Sequence, residues 1–346
     1  MLPNYLKVAL RNLRRQKTYA VINIGGLAVG LSCCLLLGLF IRHELSYDRF
    51  HDNADRIGRL VPDYHYQGNV SAFPAIGAPW GPALVAAFPE VEQAVRFRPM
   101  RNTLVRRDDH IAYERGGLYA DSTIFEVFSF PLVQGNPQTA LRNPNSVVLT
   151  EQMAARFFGT GDPIGQTLTI EREDYIVTGV AQDVPEASHF EFNFLLPFAK
   201  HAAARPDQVD RWGLYNYFVY LLLDRPESIA GLEAKFPDFE ERNLGQESAL
   251  RVVARLQPLT SIYLHSNRGN EFGPTGNVTT LSMLGAIAVF ILLIACINFM
   301  NLATARSANR AREVGIRKAV GAQRGQLAFQ FLAEAVLVCF FALLMA

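Results

Sequence analysis

Three long apolar runs constrain the fold of this chain more than any other feature of its sequence. The first, residues 18–41, has 24 residues without a charged side chain and as a helix exceeds the ~30 Å core of a bilayer. The second, residues 277–305, is also free of charge, and the third, residues 325–346, contains one acid, Glu334. A signal peptide has a shorter apolar region of ~7 to 15 residues, so we interpret residues 18–41 as an uncleaved transmembrane helix.

Basic residues beside these runs predict the orientation of the chain. The cations that precede the first run and follow the second are Lys7, Arg11, Arg14, Arg15 and Lys17, and then Arg306, Arg310, Arg312, Arg317, Lys318 and Arg324. By the positive-inside rule both groups lie in the cytoplasm, so residues 42–276 are extracytoplasmic. Leucines at helical spacing among the first cations favour an amphipathic cytoplasmic helix over residues 1–17, although a plain basic flank fits as well.

Small residues recur every four positions in the first run, at Gly26, Gly30, Cys34 and Gly38. Such a stripe permits another helix to approach closely, so we predict that Gly26, Gly30 and Gly38 form a packing face. The alternative is that glycine is simply frequent in transmembrane helices.

The region 42–276 has the mixed pattern of an α+β domain inserted between transmembrane α-helices. Alternating or β-branched segments predict strands at 146–149, 167–170, 175–180, 217–223 and 251–256. Helices are predicted at 81–88, 151–158 and 228–244. Thr150 is the predicted N-cap of the middle helix, and Gly159 is its predicted stop.

Recognisable catalytic and metal-binding motifs are absent from the sequence of this region. His43 and Glu44 begin like a zinc-protease motif, but Tyr47 occupies the position of the second histidine. The other histidines are scattered, and a solvated or hydrogen-bonded role is expected for each. All four cysteines lie in the apolar runs, so no disulfide stabilises the domain. We therefore expect no enzyme activity, no metal, no cofactor and no nucleic-acid partner.

Three segments resemble ABC-transporter permeases of the MacB and FtsX family. They are NYLKVALRNLRRQKTYAVINIGGLAVG at the start, NPNSVVLTEQMAARFFGTGDPIGQTL within 119–198, and SANRAREVGIRKAVGAQRGQLAFQFLAEA over 307–335. The resemblance implies a MacB-like periplasmic core domain over 42–276 and an FtsX-like permease domain with four transmembrane helices. Residues 325–346 are the start of the third of these, so we expect the chain to be part of a longer protein.

The same resemblance implies a location and a set of partners. The location is the bacterial inner membrane, as a multi-pass protein with a cytoplasmic N-terminus in contact with membrane lipid. The implied partners are a second copy or pseudo-repeat that completes a dimer, an ABC ATPase subunit that binds the ATP, and a periplasmic adaptor.

The polar segment 306–324 is the predicted coupling loop. Glu313 and Arg317 are spaced as an i, i+4 ion pair, and Gly321 is a helix stop. With the resemblance, we predict that the residues in contact with the ATPase are Arg312, Glu313, Gly315, Arg317, Lys318, Gly321 and Ala322. The alternative is that the loop only fixes the topology and binds lipid headgroups.

The sequence thus predicts the permease subunit of an ABC exporter or mechanotransmission system, in which a partner's ATP hydrolysis moves the periplasmic domain. The alternative is a membrane-bound extracytoplasmic sensor, since two helices that flank such a domain are also receptor architecture. A receptor would continue into a polar region after residue 305, whereas this chain becomes apolar again from residue 325.

Overall fold

The computed structural model describes residues 11, 17–245, 252–309, 311–320 and 323–346. At residues 66, 306–309, 311–313, 317, 324 and 326 it describes the backbone but not the side chain. The chain divides into two compact units. The globular unit is Ser46–Asn277, and the helical unit combines Met1–Leu45 with Val278–Ala346.

The described helices and strands are numbered in chain order. The helices are α1 (Lys17–Glu44), α2 (Trp80–Ala87), α3 (Ile124–Val127), α4 (Glu151–Phe158), α5 (Phe198–Ala204), α6 (Pro206–Val209), α7 (Ser228–Glu233), α8 (Phe236–Leu244), α9 (Leu259–His265), α10 (Val278–Asn309), α11 (Ala311–Ala319) and α12 (Arg324–Met345). The strands are β1 (Ile57–Tyr66), β2 (Asn69–Ala72), β3 (Val91–Met100), β4 (Thr103–Arg107), β5 (His110–Glu114), β6 (Gly117–Ala120), β7 (Leu132–Gly135), β8 (Ser146–Thr150), β9 (Thr167–Ile170), β10 (Glu173–Ala181), β11 (Phe194–Pro197), β12 (Phe218–Leu223) and β13 (Val252–Pro258).

The strands of the globular unit form one mixed sheet. Its order is β13-β1-β12-β3-β6-β11-β8-β10-β9-β4-β5, with β2 added beside β1 and β7 beside β10. Parallel pairing occurs between β8 and β10 and between β6 and β11, and the other described pairs are antiparallel. The α+β fold class is therefore confirmed, and all five predicted strands are present.

The sheet is buried on both faces around its centre, and β12 shows this most clearly. Its alternate side chains enter two different cores. The two sets are Phe218, Tyr220 and Leu222 on one face, and Val219, Leu221 and Leu223 on the other. A third apolar cluster lies between α4 and the strands β8 to β11. Because both faces of β12 are buried, its sequence is continuously apolar and does not alternate with polar residues.

The middle predicted helix is confirmed with its caps. The Thr150 hydroxyl accepts a hydrogen bond from the backbone N–H of Met153, and Gly159 follows the last turn with φ 61°. Only glycine adopts such a conformation without strain, which explains why the helix ends there.

The prediction of one helix over 228–244 is wrong. The structure has two helices, α7 and α8, with a break at Ala234 and Lys235. The reason is Pro237, which lies in the first turn of α8. Proline has no backbone N–H, and its ring clashes with the carbonyl group of a preceding helical turn, so it is tolerated at the start of a helix but not in its interior.

In the described part of the helical unit, three helices are long and apolar enough to cross a membrane: Lys17–Glu44, Val278–Ala305 and Leu327–Met345. The first extends to Glu44, beyond the predicted end at Ile41. The short helix α11 lies in sequence between the second and the third.

His51 is a titratable group in the largest core of the globular unit. It is 3% exposed, is surrounded by the rings of Phe128, Phe130 and Phe190, and accepts a hydrogen bond from the N–H of Ser129 at Nδ1 (3.0 Å). Burial lowers the pKa of His51 to about 4, although the charge of Asp48 opposes this effect.

We predict a loss of stability in acid that comes from His51. Below pH 6.5 the unfolded chain binds a proton that the folded chain binds only near pH 4, so the free energy of unfolding falls as the pH falls. Between pH 7 and pH 5 this amounts to about 2 kcal/mol. In His51→Asn, which keeps an acceptor but cannot titrate, that share of the pH dependence is lost. Both tryptophans, Trp80 and Trp212, lie in the globular unit, so fluorescence of the full-length protein in detergent reports its unfolding.

The free energies of unfolding of the wild type and of His51→Asn have to be compared at each pH. Burial also raises the pKa of Glu240 to about 7, which favours the folded state as the pH falls, but this contribution is the same in both chains. An equal pH dependence in the wild type and in His51→Asn would contradict the prediction.

Candidate functional site

Five polar residues form a cluster in the interior of the globular unit, and we call them the buried polar cluster. Asp48 lies just beyond the end of α1, Arg59 is in β1, His189 follows β10, Tyr220 is in β12, and Glu271 precedes α10. Asp48, Arg59 and Tyr220 are fully buried, and His189 is 1% exposed. The cluster thus combines two central strands with the two segments through which the chain enters and leaves the unit.

Arg59 and Glu271 form the ionic half of the cluster. The guanidinium donates through Nη1 to Oε2 of Glu271 (2.5 Å) and through Nη2 to Oε1 (2.8 Å), and Nη2 also donates to Oε1 of Gln257 (2.8 Å). Burial by itself would raise the pKa of Glu271, but the hydrogen bonds and charge of Arg59 hold it below its ordinary value. The pair is therefore a two-pronged salt bridge between charged groups, the strongest form of such a contact.

Asp48, His189 and Tyr220 form the other half. Oδ1 of Asp48 accepts from the backbone N–H of His189 (3.0 Å) and lies 2.8 Å from its Nδ1, while Nε2 of the same ring lies 2.8 Å from the Tyr220 hydroxyl. Asp48 has φ 59°, an unusual backbone conformation for a residue other than glycine, and its N–H donates to the Ala187 carbonyl (2.9 Å). Burial raises the pKa of Tyr220, which interacts with both Arg59 and His189 and so joins the two halves.

Further contacts hold the segments that contain Asp48 and Glu271 in place. The Tyr47 ring stacks on that of Tyr263 with 3.4 Å between centroids, and the Gly276 N–H donates to the Tyr263 carbonyl. At Gly273 an added Cβ would lie 1.9 Å from the carbonyl oxygen of His189, so only glycine fits there. The entry and exit segments of the globular unit thus contact the same residue of α9, Tyr263, and the same buried cluster.

In the helical unit, the predicted glycine stripe has unequal surroundings. An added Cβ at Gly30 would lie 2.7 Å from Cβ of Ala295 on α10, and one at Gly26 would lie 3.3 Å from the Asn298 amide nitrogen. At Gly38 nothing described lies within 4 Å. Two of the three glycines therefore lie against α10 and the third does not.

Polar side chains also lie inside the helical unit. Glu334 is 5% exposed, and Asn23 is 1% exposed with no hydrogen-bond partner for its amide among the described residues. An ionisable group within an apolar helix is more often buried against protein than exposed to lipid, as Glu334 is here.

The predicted coupling residues are described only in part. The backbone of Arg312, Glu313 and Arg317 lies in α11, but their side chains, together with Gly321 and Ala322, lie outside the described residues. Gly315 and Lys318 are exposed, and so are two apolar neighbours, Ile316 (61%) in α11 and Val320 (84%) just after its end. The role of this segment stays a prediction.

Sequence reasoning treated His189 as an ordinary hydrogen-bonded histidine and did not identify Asp48, Arg59 or Glu271. One feature pointed to this cluster: Arg59 is a charged residue near the start of the strand β1, among apolar residues that are buried. Such an arginine needs an acid partner, but a single sequence does not say which acid among thirty-two supplies it. Among the described residues, no group of three or more His, Cys, Asp and Glu side chains could hold a metal ion.

Comparison with known families gives two matches that together cover most of the chain. A model described as the MacB-like periplasmic core domain matches residues 20–239, and one described as the FtsX-like permease C-terminal matches residues 285–346.

Individual relatives are distant in sequence. The macrolide export ATP-binding/permease protein MacB of Hahella chejuensis is 24% identical over 300 residues, which are 81% of this chain and 43% of the relative. The pyoverdine export ATP-binding/permease protein PvdT of Pseudomonas fluorescens is 27% identical over 273 residues, 73% of this chain and 37% of the relative. The chain thus spans less than half the length of the curated relatives it matches.

A solved structure from another bacterium shares the fold. A crystal structure of a domain described as part of a permease protein from Porphyromonas gingivalis has a TM-score of 0.55 and 20% sequence identity, and the match covers 68% of this chain and 98% of that domain.

We predict that Glu271→Gln destabilises the globular unit strongly. The substitution leaves the guanidinium of Arg59 buried without a counter-charge, and breaking such a pair costs about 3–5 kcal/mol. The midpoint of thermal unfolding, followed by tryptophan fluorescence, should fall by on the order of 10 °C. The control is Arg59→Met/Glu271→Met, which removes both charges and should be the more stable variant. A single variant as stable as the wild type would contradict the prediction.

A second prediction concerns the contact of α1 with α10. Gly30→Ala should lower the midpoint of thermal unfolding of the helices in detergent, because overpacking against Ala295 costs about 1–3 kcal/mol. The matched control is Gly38→Ala, where the added methyl group meets open space and alanine favours the helix. Helical circular dichroism measures both, and an equal effect of the two substitutions would contradict the assigned contact.

Proposed function

The chain belongs to the family of ABC-transporter permeases of the MacB and FtsX type, and from that premise we propose that it couples ATP hydrolysis on a partner ATPase to movement of its periplasmic domain. It is a membrane protein with an extracytoplasmic domain, which is the globular unit. The proposal adds that it is a multi-pass protein of the bacterial inner membrane with its N-terminus and α11 in the cytoplasm, as its distribution of cations favours.

The buried polar cluster is the observation that carries the proposal. Covalent continuity means that any displacement of α1 or α10 reaches the globular unit through the segments that contain Asp48 and Glu271. The Glu271 segment is held by buried, charge-assisted hydrogen bonds to Arg59 in the central strand β1. Asp48 accepts a hydrogen bond from the backbone of His189, whose ring in turn lies 2.8 Å from the hydroxyl of Tyr220 in β12, so a pull on either segment acts on the sheet and not on a loose loop. This is the mechanical property that a domain moved from the membrane requires.

The short helix α11 is the proposed point of contact with the ATPase. It presents the exposed cation Lys318 and the exposed apolar side chain of Ile316, and the exposed Val320 follows its last residue, with its N–H donating to the carbonyl of Ile316 one turn before. A mixed surface of this kind suits a protein partner better than lipid headgroups alone, which would need only the cations. Named relatives export macrolides and pyoverdine together with an ATP-binding portion, which supports an exporter of that general type.

The test is reconstitution of the full-length protein with its ATPase. We expect Arg317→Glu/Lys318→Glu to weaken complex formation about tenfold, since reversed charges at an interface commonly cost more than 1.4 kcal/mol, and to reduce stimulated ATP turnover in parallel. The matched control reverses two exposed cations of the globular unit, Arg142→Glu/Arg225→Glu, and should change neither. If the α11 variant forms the complex and hydrolyses ATP like the wild type, the coupling assignment is wrong.

A further inference from the structure

Strand β5 is an outer edge of the sheet of the globular unit. Among the described strands it pairs with β4 alone. Two large side chains on it are open to solvent, Ile111 at 59% and Tyr113 at 74% exposure. Edges of this kind are usually protected by proline, lysine or a bulge, and β5 has none of these.

The backbone of β5 points hydrogen-bonding groups outward at these same two residues. Tyr113 lies opposite Leu104 in β4, and both the N–H and the C=O of Leu104 bond to Glu171 on the far side, away from β5. Leu104 and Tyr113 are therefore a non-hydrogen-bonded pair, and alternation makes Arg106 and Ile111 the next one. It follows that Ile111 and Tyr113 direct their N–H and C=O groups to the open edge.

The side chains on this edge are complementary to themselves. Ile111 and Tyr113 alternate along β5 and share one face, whereas Ala112 packs on the other face against the core near α4. Asp109, in the turn before the strand, and Arg115, in the bend after it, are both exposed. When two such segments run antiparallel about Ala112, Ile111 lies opposite Tyr113 of the other copy, and Asp109 before one strand comes near Arg115 after the other. The apolar pair is aromatic with β-branched and the outer pairs are of opposite charge, the two favourable kinds of cross-strand contact.

We propose that two copies of this chain pair through β5, antiparallel about Ala112, so that their sheets become continuous. In this register Ile111 and Tyr113 of the other copy form a hydrogen-bonded pair, which uses the outward backbone groups of both. The inference rests on the proposed permease function only through the dimer that the family resemblance implies, and it names the periplasmic contact between the two copies. A strand from an unrelated protein would have to match the order Asp, Ile, Tyr, Arg in reverse, which a second copy does by symmetry.

Disulfide trapping in membranes tests the pairing on the full-length protein. The four native cysteines, which lie in the apolar helices, are first replaced by alanine, and Ala112→Cys is introduced. Residues opposite each other in a non-hydrogen-bonded pair have Cα atoms about 4.5 Å apart, within the range of a disulfide. Mild oxidation should then convert most of the protein to a covalent dimer.

Two matched controls define the register. Ile111→Cys alone should give at least about tenfold less dimer, because its symmetry mate is displaced along the strand beyond the ~7 Å limit for a disulfide. In the Ala112→Cys background, Asp109→Arg should reduce the dimer severalfold by facing Arg115 of the other copy, and Asp109→Arg/Arg115→Asp should restore it. Asp109 and Arg115 are both exposed, so these changes leave the fold intact.

The outcomes separate this inference from the proposed function. Equal trapping of Ala112→Cys and Ile111→Cys, trapping of Ala112→Cys on a different polypeptide, or no dimer at all would overturn the β5 pairing. ATP turnover with the partner ATPase is measured on the same samples. If turnover is normal while trapping fails, the pairing alone is wrong.

Discussion

A guanidinium that is completely removed from water has to be compensated inside the fold, and much of the globular unit is organised by how Arg59 meets this requirement. Its partner Glu271 belongs to the segment just before α10, so that segment has to return to the centre of the sheet. The return brings Gly273 against the backbone of His189, and His189 in turn binds Asp48 just after α1. One buried charge thereby fixes where both connections to the membrane helices begin.

The sheet supplies the framework that makes this possible. Because β12 is buried on both faces and lies between β1 and β3, Tyr220 is placed at the centre of the unit, with Arg59 on the adjacent strand. The apolar side chains on β12 contribute burial energy to both cores, at about 25 cal/mol per Å² of apolar surface, whereas the polar cluster contributes direction and specificity. Strand β12 takes part in both, because its apolar side chains pack in the cores and its Tyr220 belongs to the polar cluster.

Features set by local rules could be predicted from the sequence. The charge-free runs, the strand at 146–149, and the helix from Glu151 that Thr150 begins and Gly159 ends each depend on residues a few positions apart. The break before α8 is equally local, since Pro237 lies in the first turn of that helix, and the prediction of one helix over 228–244 does not take account of it. The buried polar cluster could not be predicted, since Arg59 and Glu271 are brought together by the topology of the sheet, which a single sequence does not reveal. The predicted ATPase contacts at 312–322 come from the family resemblance and stay a prediction, because a contact with another protein is not visible in the sequence of one chain.

The order of strands in the sheet has a consequence for how the protein is made. Strand β1 is among the first parts of the globular unit to be synthesised, and although β2 follows at once, its other two neighbours, β12 and β13, are late, with Ile57 opposite Leu222 and Tyr64 opposite Val252. Until those late segments arrive, the first half of β1 lacks its partners, and contacts so distant in sequence form slowly. The interval between the emergence of β1 and of β13 is therefore the period in which the nascent chain is most exposed to aggregation and most in need of a chaperone on the side of the membrane where it folds.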